Sequence, residues 1–113
     1  MVWRVLFDPE FELEFKGFPD EVKIEILARA ELLKLRGPHL GRPYADTLNG
    51  SRHANMKELR FTAVNGAWRV AFAFDPNRNA ILLAAGNKSH MNEKRFYRTL
   101  IATADKRFER VLS

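Results

Sequence analysis

The chain has 113 residues, enough for one domain, and 46% of them are hydrophobic, including nine Phe and two Trp, so it can bury a substantial core. Its formal charge of +5 suits an acidic partner such as nucleic acid, and the charge is uneven: residues 1–41 carry six Lys/Arg against eight Asp/Glu, residues 42–113 thirteen against six. The lack of cysteine excludes disulfides, thiolate chemistry and Cys-based zinc sites. His39, His53 and His90 stand too far apart for a ligand-type repeat, so no metal is expected.

Val2 to Phe7 reads as a first strand. Asp8-Pro9 then supplies a helix N-cap followed by proline at the first helical position, and Phe11 and Phe15, four apart, form the buried stripe of a short helix that Gly17 interrupts. Pro19-Asp20-Glu21 opens a longer helix with Val22, Ile26, Ala30 and Leu33 on one face, stopped by Gly37-Pro38. From Gly37 to about Asn55 no period is sustained; Arg42, Arg52 and His53 make this segment either a basic flap beside the sheet or an exposed linker.

Two strand-like runs follow, Met56 to Val64 and Ala67 to Asp75, joined at Asn65-Gly66, a strong signal for a two-residue hairpin turn. This turn predicts Val64 opposite Ala67, Thr62 opposite Arg69 and Arg60 opposite Ala71. Period-2 alternation puts Leu59, Phe61, Ala63, Trp68, Val70, Phe72 and Phe74 on a core face, with Arg60 and Arg69 as diagonal neighbours on the other. Asp75-Pro76-Asn77-Arg78 is a turn, and Ala80 to Ala85 is a strand whose near-continuous apolarity predicts burial on both faces. From Met91 a basic helix carries Phe96, Leu100, Ala104 and Phe108 at a spacing of four.

The order βααβββα predicts an α+β domain spanning residues 1–113, with a helical hairpin on one face of a mostly antiparallel sheet and the other face partly free. No apolar run approaches the roughly 18 residues of a membrane span, and Met1–Pro9 is too soon interrupted for a signal peptide; a soluble, cytoplasmic protein is the expectation.

Arg60 and Arg69 are the leading functional candidates, because like charges this close call for solvent, a carboxylate or an anionic partner. Ala71 and Ala73 on the same face suggest a groove beside them, though the pair could equally be solvated or seat the last helix. Lys88 and His90 follow the last strand, where a rigid scaffold displays binding groups, and Tyr97 and Arg98 lie on the helix within reach of the same edge. Lys57 falls on the apolar side by parity, its amine directed to water. Around a phosphodiester such cations would support attack of a ribose 2′-hydroxyl on the adjacent phosphorus, with His90 or Tyr97 exchanging protons. Glu58, on the Arg60 face, could hold the arginines or act as base.

The run Leu48-Asn49-Gly50-Ser51-Arg52-His53, then Lys57-Glu58-Leu59-Arg60, Trp68-Arg69-Val70-Ala71-Phe72-Ala73-Phe74-Asp75, Gly86-Asn87-Lys88 and Arg95-Phe96-Tyr97 resembles the RelE/HigB toxin superfamily, most closely its phage-derived, HigB-type branch. The resemblance implies a RelE-like fold and the toxin of a type II toxin-antitoxin pair: an endoribonuclease that cleaves messenger RNA on the ribosome without a cofactor, restrained by a cognate helix-turn-helix antitoxin. By position, Arg60 and Arg69 match the family's strand arginines and Lys88 its basic residue after the last strand, with His90 and Tyr97 as approximate matches. Arg52, His53, Lys57, Lys94, Arg95 and Arg98 complete the expected RNA contacts. The resemblance also leaves open a non-catalytic or gyrase-directed toxin, or a module that only binds antitoxin.

Overall fold

The computed structural model describes residues 2–113. It contains strand β1 (Arg4–Phe7), helices α1 (Pro9–Lys16) and α2 (Asp20–Arg36), a short 3-10 turn (Gly37–His39), strands β2 (Ala45–Thr47), β3 (Met56–Ala63), β4 (Gly66–Phe74) and β5 (Asn79–Asn87), and helix α3 (Glu93–Leu112). The five strands form one sheet in the order β1-β5-β4-β3-β2. Only β1 and β5 run parallel; the other pairs are antiparallel.

Local chemistry accounts for the helix starts. The Asp8 carboxylate accepts hydrogen bonds from the Glu10 and Phe11 amides, at 3.0 and 3.1 Å, so Asp8 caps α1 ahead of Pro9 as its sequence suggests. Asn92 caps α3 in the same way by accepting from the Arg95 amide. The expected first strand loses its first two residues: the Trp3 amide donates to the Lys34 carbonyl at the end of α2 instead of extending a ladder.

The helical pair covers one sheet face. There Phe11, Val22, Ile26 and Leu33 pack on Leu59, Phe61, Val70, Phe72 and Leu82. The opposite face, expected to be partly free, is largely closed by α3, whose Phe96, Leu100, Ala104 and Phe108 pack on Met56, Ala71, Ala73, Ile81 and Leu83. Ala71 and Ala73 are therefore fully buried beneath a helix, and their small side chains serve close helix–sheet approach instead of leaving a groove. Strand β5 is buried on both faces, as its apolarity predicts, and extends beyond Ala85 through Asn87.

Between Gly37 and Asn55 the sequence showed no period, yet β2 forms there as a three-residue edge strand on β3. An element so short is beneath the reach of periodicity.

The hairpin register also differs from expectation. Val64 and Asn65 are its central residues, both with positive φ, 51° and 56°, so Ala63 pairs with Gly66 and Arg60 directly with Arg69. Gly66 is needed for another reason: a Cβ there would lie 2.2 Å from the Asn87 amide nitrogen. Moving the turn by one residue shifts the pairing by two, which leaves every side chain on its expected face. Between β4 and β5 the register slips at Ala71/Phe72, so that Leu83 and Ala84 both face α3.

Candidate functional site

A charged cluster sits where the middle of β3, the first half of β4 and the first turns of α3 meet. Glu58 and Arg60, two apart on β3, share a face by strand geometry, and the ladder sets Arg69 opposite Arg60. The Glu58 Oε2 accepts from Arg60 Nη1 at 2.9 Å, and Glu58 Oε1 accepts from the Tyr97 hydroxyl at 2.8 Å. Arg69 Nε donates to the Tyr97 oxygen at 3.3 Å and lies 3.8 Å from Glu58 Oε1. Its Nη1 donates to the Trp68 carbonyl.

Glu58 and Arg69 are only 4% and 6% exposed, so the two arginines do not stand side by side in solvent. The buried carboxylate relieves their repulsion, and a tyrosine completes the ring of contacts. Arg60, with 23% of its side chain exposed, is the arginine of the pair that reaches solvent more. The Tyr97 phenol is pushed above its ordinary range, first by burial and then by the hydrogen bond and charge of Glu58, and stays neutral at physiological pH.

Tyr97 reaches the arginines because Phe96, its neighbour, packs against Gly86, where a Cβ would lie 2.9 Å from the ring. Lys88 follows Gly86 and is anchored by its own amide, which donates to the Ala67 carbonyl. Its ammonium meets Glu93 at 2.9 Å, and that contact, followed by the charges of Arg69 and Arg60, holds the Glu93 carboxyl below its ordinary range. Glu93 is an acidic member of the site edge that parity and motif reasoning did not single out. It lies in the first turn of α3, a position favoured for acids in any helix, so its sequence context carried no functional signal.

Outward from Tyr97 runs a groove of about 540 Å³ along α3, lined by Gly50, Arg52, Lys94, Tyr97, Arg98 and Ile101 among others. Three of the expected RNA contacts thus gather next to the cluster. The loop that brings Arg52 is fastened to α3: Asp105, 4% exposed, accepts from the Ser51 hydroxyl and from the Arg52 amide, and Glu109 meets Arg52 Nη2 at 2.8 Å and His53 Nε2 at 3.2 Å. The His53 and Phe108 rings pack nearly perpendicular, with centroids 5.0 Å apart.

The remaining candidates lie apart. His90 is exposed in the β5–α3 turn with φ of 65°, and among the described residues no hydrogen bond joins its ring to the cluster. Arg95 is exposed on α3 outside the lining of the groove. Lys57, next to Glu58 in β3 but on the opposite sheet face, borders a separate depression with Trp3, Pro38 and Phe74.

Comparison with known proteins identifies the class. Residues 13–109 match the family described as phage derived protein Gp49-like, and the chain belongs to that family, within the RelE/HigB toxin superfamily of toxin-antitoxin systems. It is 40% identical over 109 residues to the Mycobacterium tuberculosis protein named "Putative toxin HigB3", an alignment covering 96% of this chain and 93% of that one. It is 46% identical over 93 residues to "Putative toxin HigB2" of the same organism, covering 81% of this chain and 46% of the relative. Among solved structures, a free, doubly arginine-to-alanine-substituted form of the E. coli toxin RelE superposes with a TM-score of 0.65 at 10% identity, over 90% of this chain and 96% of that chain. At that identity the likeness concerns the fold. Among the described residues no helix is long and apolar enough to cross a membrane.

Proposed function

We propose that this chain is the endoribonuclease toxin of a type II pair, cleaving messenger RNA on the ribosome in the cytoplasm by attack of a ribose 2′-hydroxyl on the neighbouring phosphorus, with no metal required. The observation that supports this reading is the Glu58–Arg60–Arg69–Tyr97 cluster, whose Tyr97 also lines a groove with Arg52, Lys94 and Arg98. Arg60, partly exposed, contacts the scissile phosphate and stabilises the charge that grows on it. Arg69, held almost entirely inside, keeps Tyr97 in place and adds field from beneath. Lys88, at the β5–α3 turn, serves the leaving group, while Arg52, Lys94 and Arg98, which line the groove, track the RNA backbone. A cognate antitoxin bearing a helix-turn-helix restrains the toxin.

The experiment is a translating extract supplied with purified protein, a defined messenger and a chelator. Site-specific cuts that persist with the chelator and disappear with Arg60→Ala support the reading. Intact messenger with halted translation sinks it. The internal neutralisation of Arg69 favours a second reading, in which the fold and the antitoxin surface persist without catalysis or act on another target such as gyrase. Growth arrest unaffected by Arg60→Ala and Arg69→Ala, with weakened antitoxin binding, would select that reading.

A further inference from the structure

We propose that the outward face of α2 is a homodimer interface, on which a second copy of this chain docks its own α2 antiparallel, about a two-fold axis between Leu27 and Ala28.

Helix geometry defines the surface. At about 100° per residue, Val22, Ile26, Ala30 and Leu33 share the side of α2 that the sheet buries, while Ile24, Leu27, Ala28, Glu31 and Leu35 fall within an arc of about 100° on the opposite side. A surface helix normally turns charged and polar groups outward. Here Ile24 and Leu35 are 64% and 72% exposed and Leu27 is half exposed, so the solvent side carries an apolar line of its own. Single exposed apolar residues are ordinary, but residues aligned along one helix face form a contiguous patch that favours a partner over water.

Charge selects the occupant. The first turn of α2 is acidic, with Asp20 and Glu21, and the last turn is basic, with Lys34 and Arg36. A helix with oppositely charged ends complements itself when reversed, the condition for one patch to serve both copies of a two-fold pair. An axis between Leu27 and Ala28 sets Leu27 against Ala28 of the second copy, Ile24 against Glu31, and Leu35 against Asp20, with Lys34 and Arg36 on either side of that last contact. Ala28 is small enough to let the helices approach at the axis. Glu31 directs its carboxylate aside to Lys34, 2.9 Å away, and leaves its stem for the apolar line. Opposed helix dipoles also favour the reversed orientation. RNA is the wrong occupant for this face, since residues 1–41 hold six Lys/Arg against eight Asp/Glu. Because α2 and α3 cover opposite faces of the sheet, paired copies leave both Tyr97 grooves outward and open.

Size sets the strength. With 17 residues, α2 is about 25 Å long. Two single helices therefore bury less than the roughly 1,200 Å² of a stable interface, and pairing is weak, with Kd on the order of 10 μM or above.

Sedimentation equilibrium of the full chain across the micromolar range tests the proposal. The average mass of the wild type is expected to climb towards twice that of one chain, and Leu27→Glu to hold it at one chain throughout. Asp20→Lys, and separately Lys34→Glu combined with Arg36→Glu, should each weaken pairing by about tenfold at low salt, because like charges then meet at both ends. Mixed in equal amounts, these two variants present opposite charges to each other at both ends, and pairing should return to the wild-type level. Thermal unfolding confirms that each variant folds; should Leu27→Glu fail to, the mixing experiment decides alone. A wild type that stays monomeric, a dimer that Leu27→Glu leaves intact, or variants that do not recover on mixing overturns the interface. A monomeric wild type whose co-expressed antitoxin is released by Leu27→Glu also overturns it, assigning the face to the antitoxin and leaving the ribonuclease reading untouched.

Discussion

Arg107 of α3 reaches across to α1, where its guanidinium donates to both oxygens of Glu14, at 2.9 and 2.6 Å, and to Glu10 at 3.1 Å. A fourth bond runs to the carbonyl of Leu83, at the bulge where β5 slips against β4, so one side chain ties both helical layers to the sheet between them. Arg107 is 7% exposed, and the neighbouring Asp8 carboxylate is buried and shared with Arg110. Arg107→Met keeps most of the stem but takes away the Leu83 carbonyl's side-chain partner and removes a cation from beside Asp8, which keeps Arg110 and its two capped amides. The expected loss is about 2 kcal/mol of unfolding free energy, the cost of a buried carbonyl losing its partner, since Glu10 and Glu14 are half exposed and stay solvated. Urea unfolding with an unchanged denaturant slope would show it.

At the hairpin, Val64 holds φ of 51° although a β-branched side chain disfavours the left-handed region. The residue is 49% exposed and has little packing to lose. Val64→Asn is expected to stabilise the protein by about 1 kcal/mol, a gain visible as a higher thermal midpoint. An unchanged or lower midpoint would show that the turn tolerates valine without strain.

This turn also shows where sequence reasoning stops. Asn-Gly signals a turn by its backbone preferences, but here Asn65 takes the second central position and Gly66 enters the strand because the Asn87 amide lies against it. That contact comes from β5, more than twenty residues away, and no local pattern contains it. Face assignment survived, since alternation depends on parity alone, and so the association of Glu58, Arg60 and Arg69 was legible before their distances were. The four-residue spacing of Phe96, Leu100, Ala104 and Phe108 marked a buried helix face but not its destination. Once that face docks on Ala71 and Ala73, the open groove expected there closes, Arg69 is buried, and Tyr97 is delivered to Glu58. The Gp49-like membership and the RelE-like fold agree with the whole-chain resemblance, which draws on the motifs jointly.

Acid should weaken the fold in a defined window. The Glu10 carboxyl is held below its ordinary range first by Arg110 and also by Arg107, that of Asp46 by Arg42, and that of Glu93 by Lys88. A carboxyl whose folded-state pKa is depressed stabilises the fold above its unfolded value, near pH 4, and loses that contribution as pH falls through the folded value. Tyr97 has the opposite sign: its raised pKa leaves its contribution complete below about pH 10 and lost as pH climbs past that. Thermal midpoints should stay level from about pH 7 to 5 and fall below about pH 4.5, less steeply in Glu10→Gln. A profile that Glu10→Gln leaves unaltered would mean that these pairs are fully screened.

The Lys88–Glu93 pair gives the last prediction, because its two partners differ in what they do for a polyanion. Lys88 adds positive charge beside Arg60, while Glu93, 68% exposed at the N-terminus of α3, both occupies that ammonium and repels phosphate. Glu93→Gln removes one negative charge and frees Lys88, with little effect on stability because the pair is exposed and screened. Affinity for single-stranded RNA should rise at low salt, and the slope of log affinity against log salt should steepen by about 0.7, the increment for one more phosphate contact. The gain should vanish when Lys88→Ala is combined with it, since the freed ammonium is its source. Equal or weaker binding by Glu93→Gln at low salt would show instead that Glu93 orders the β5–α3 turn for RNA, with the repulsion it exerts the smaller effect.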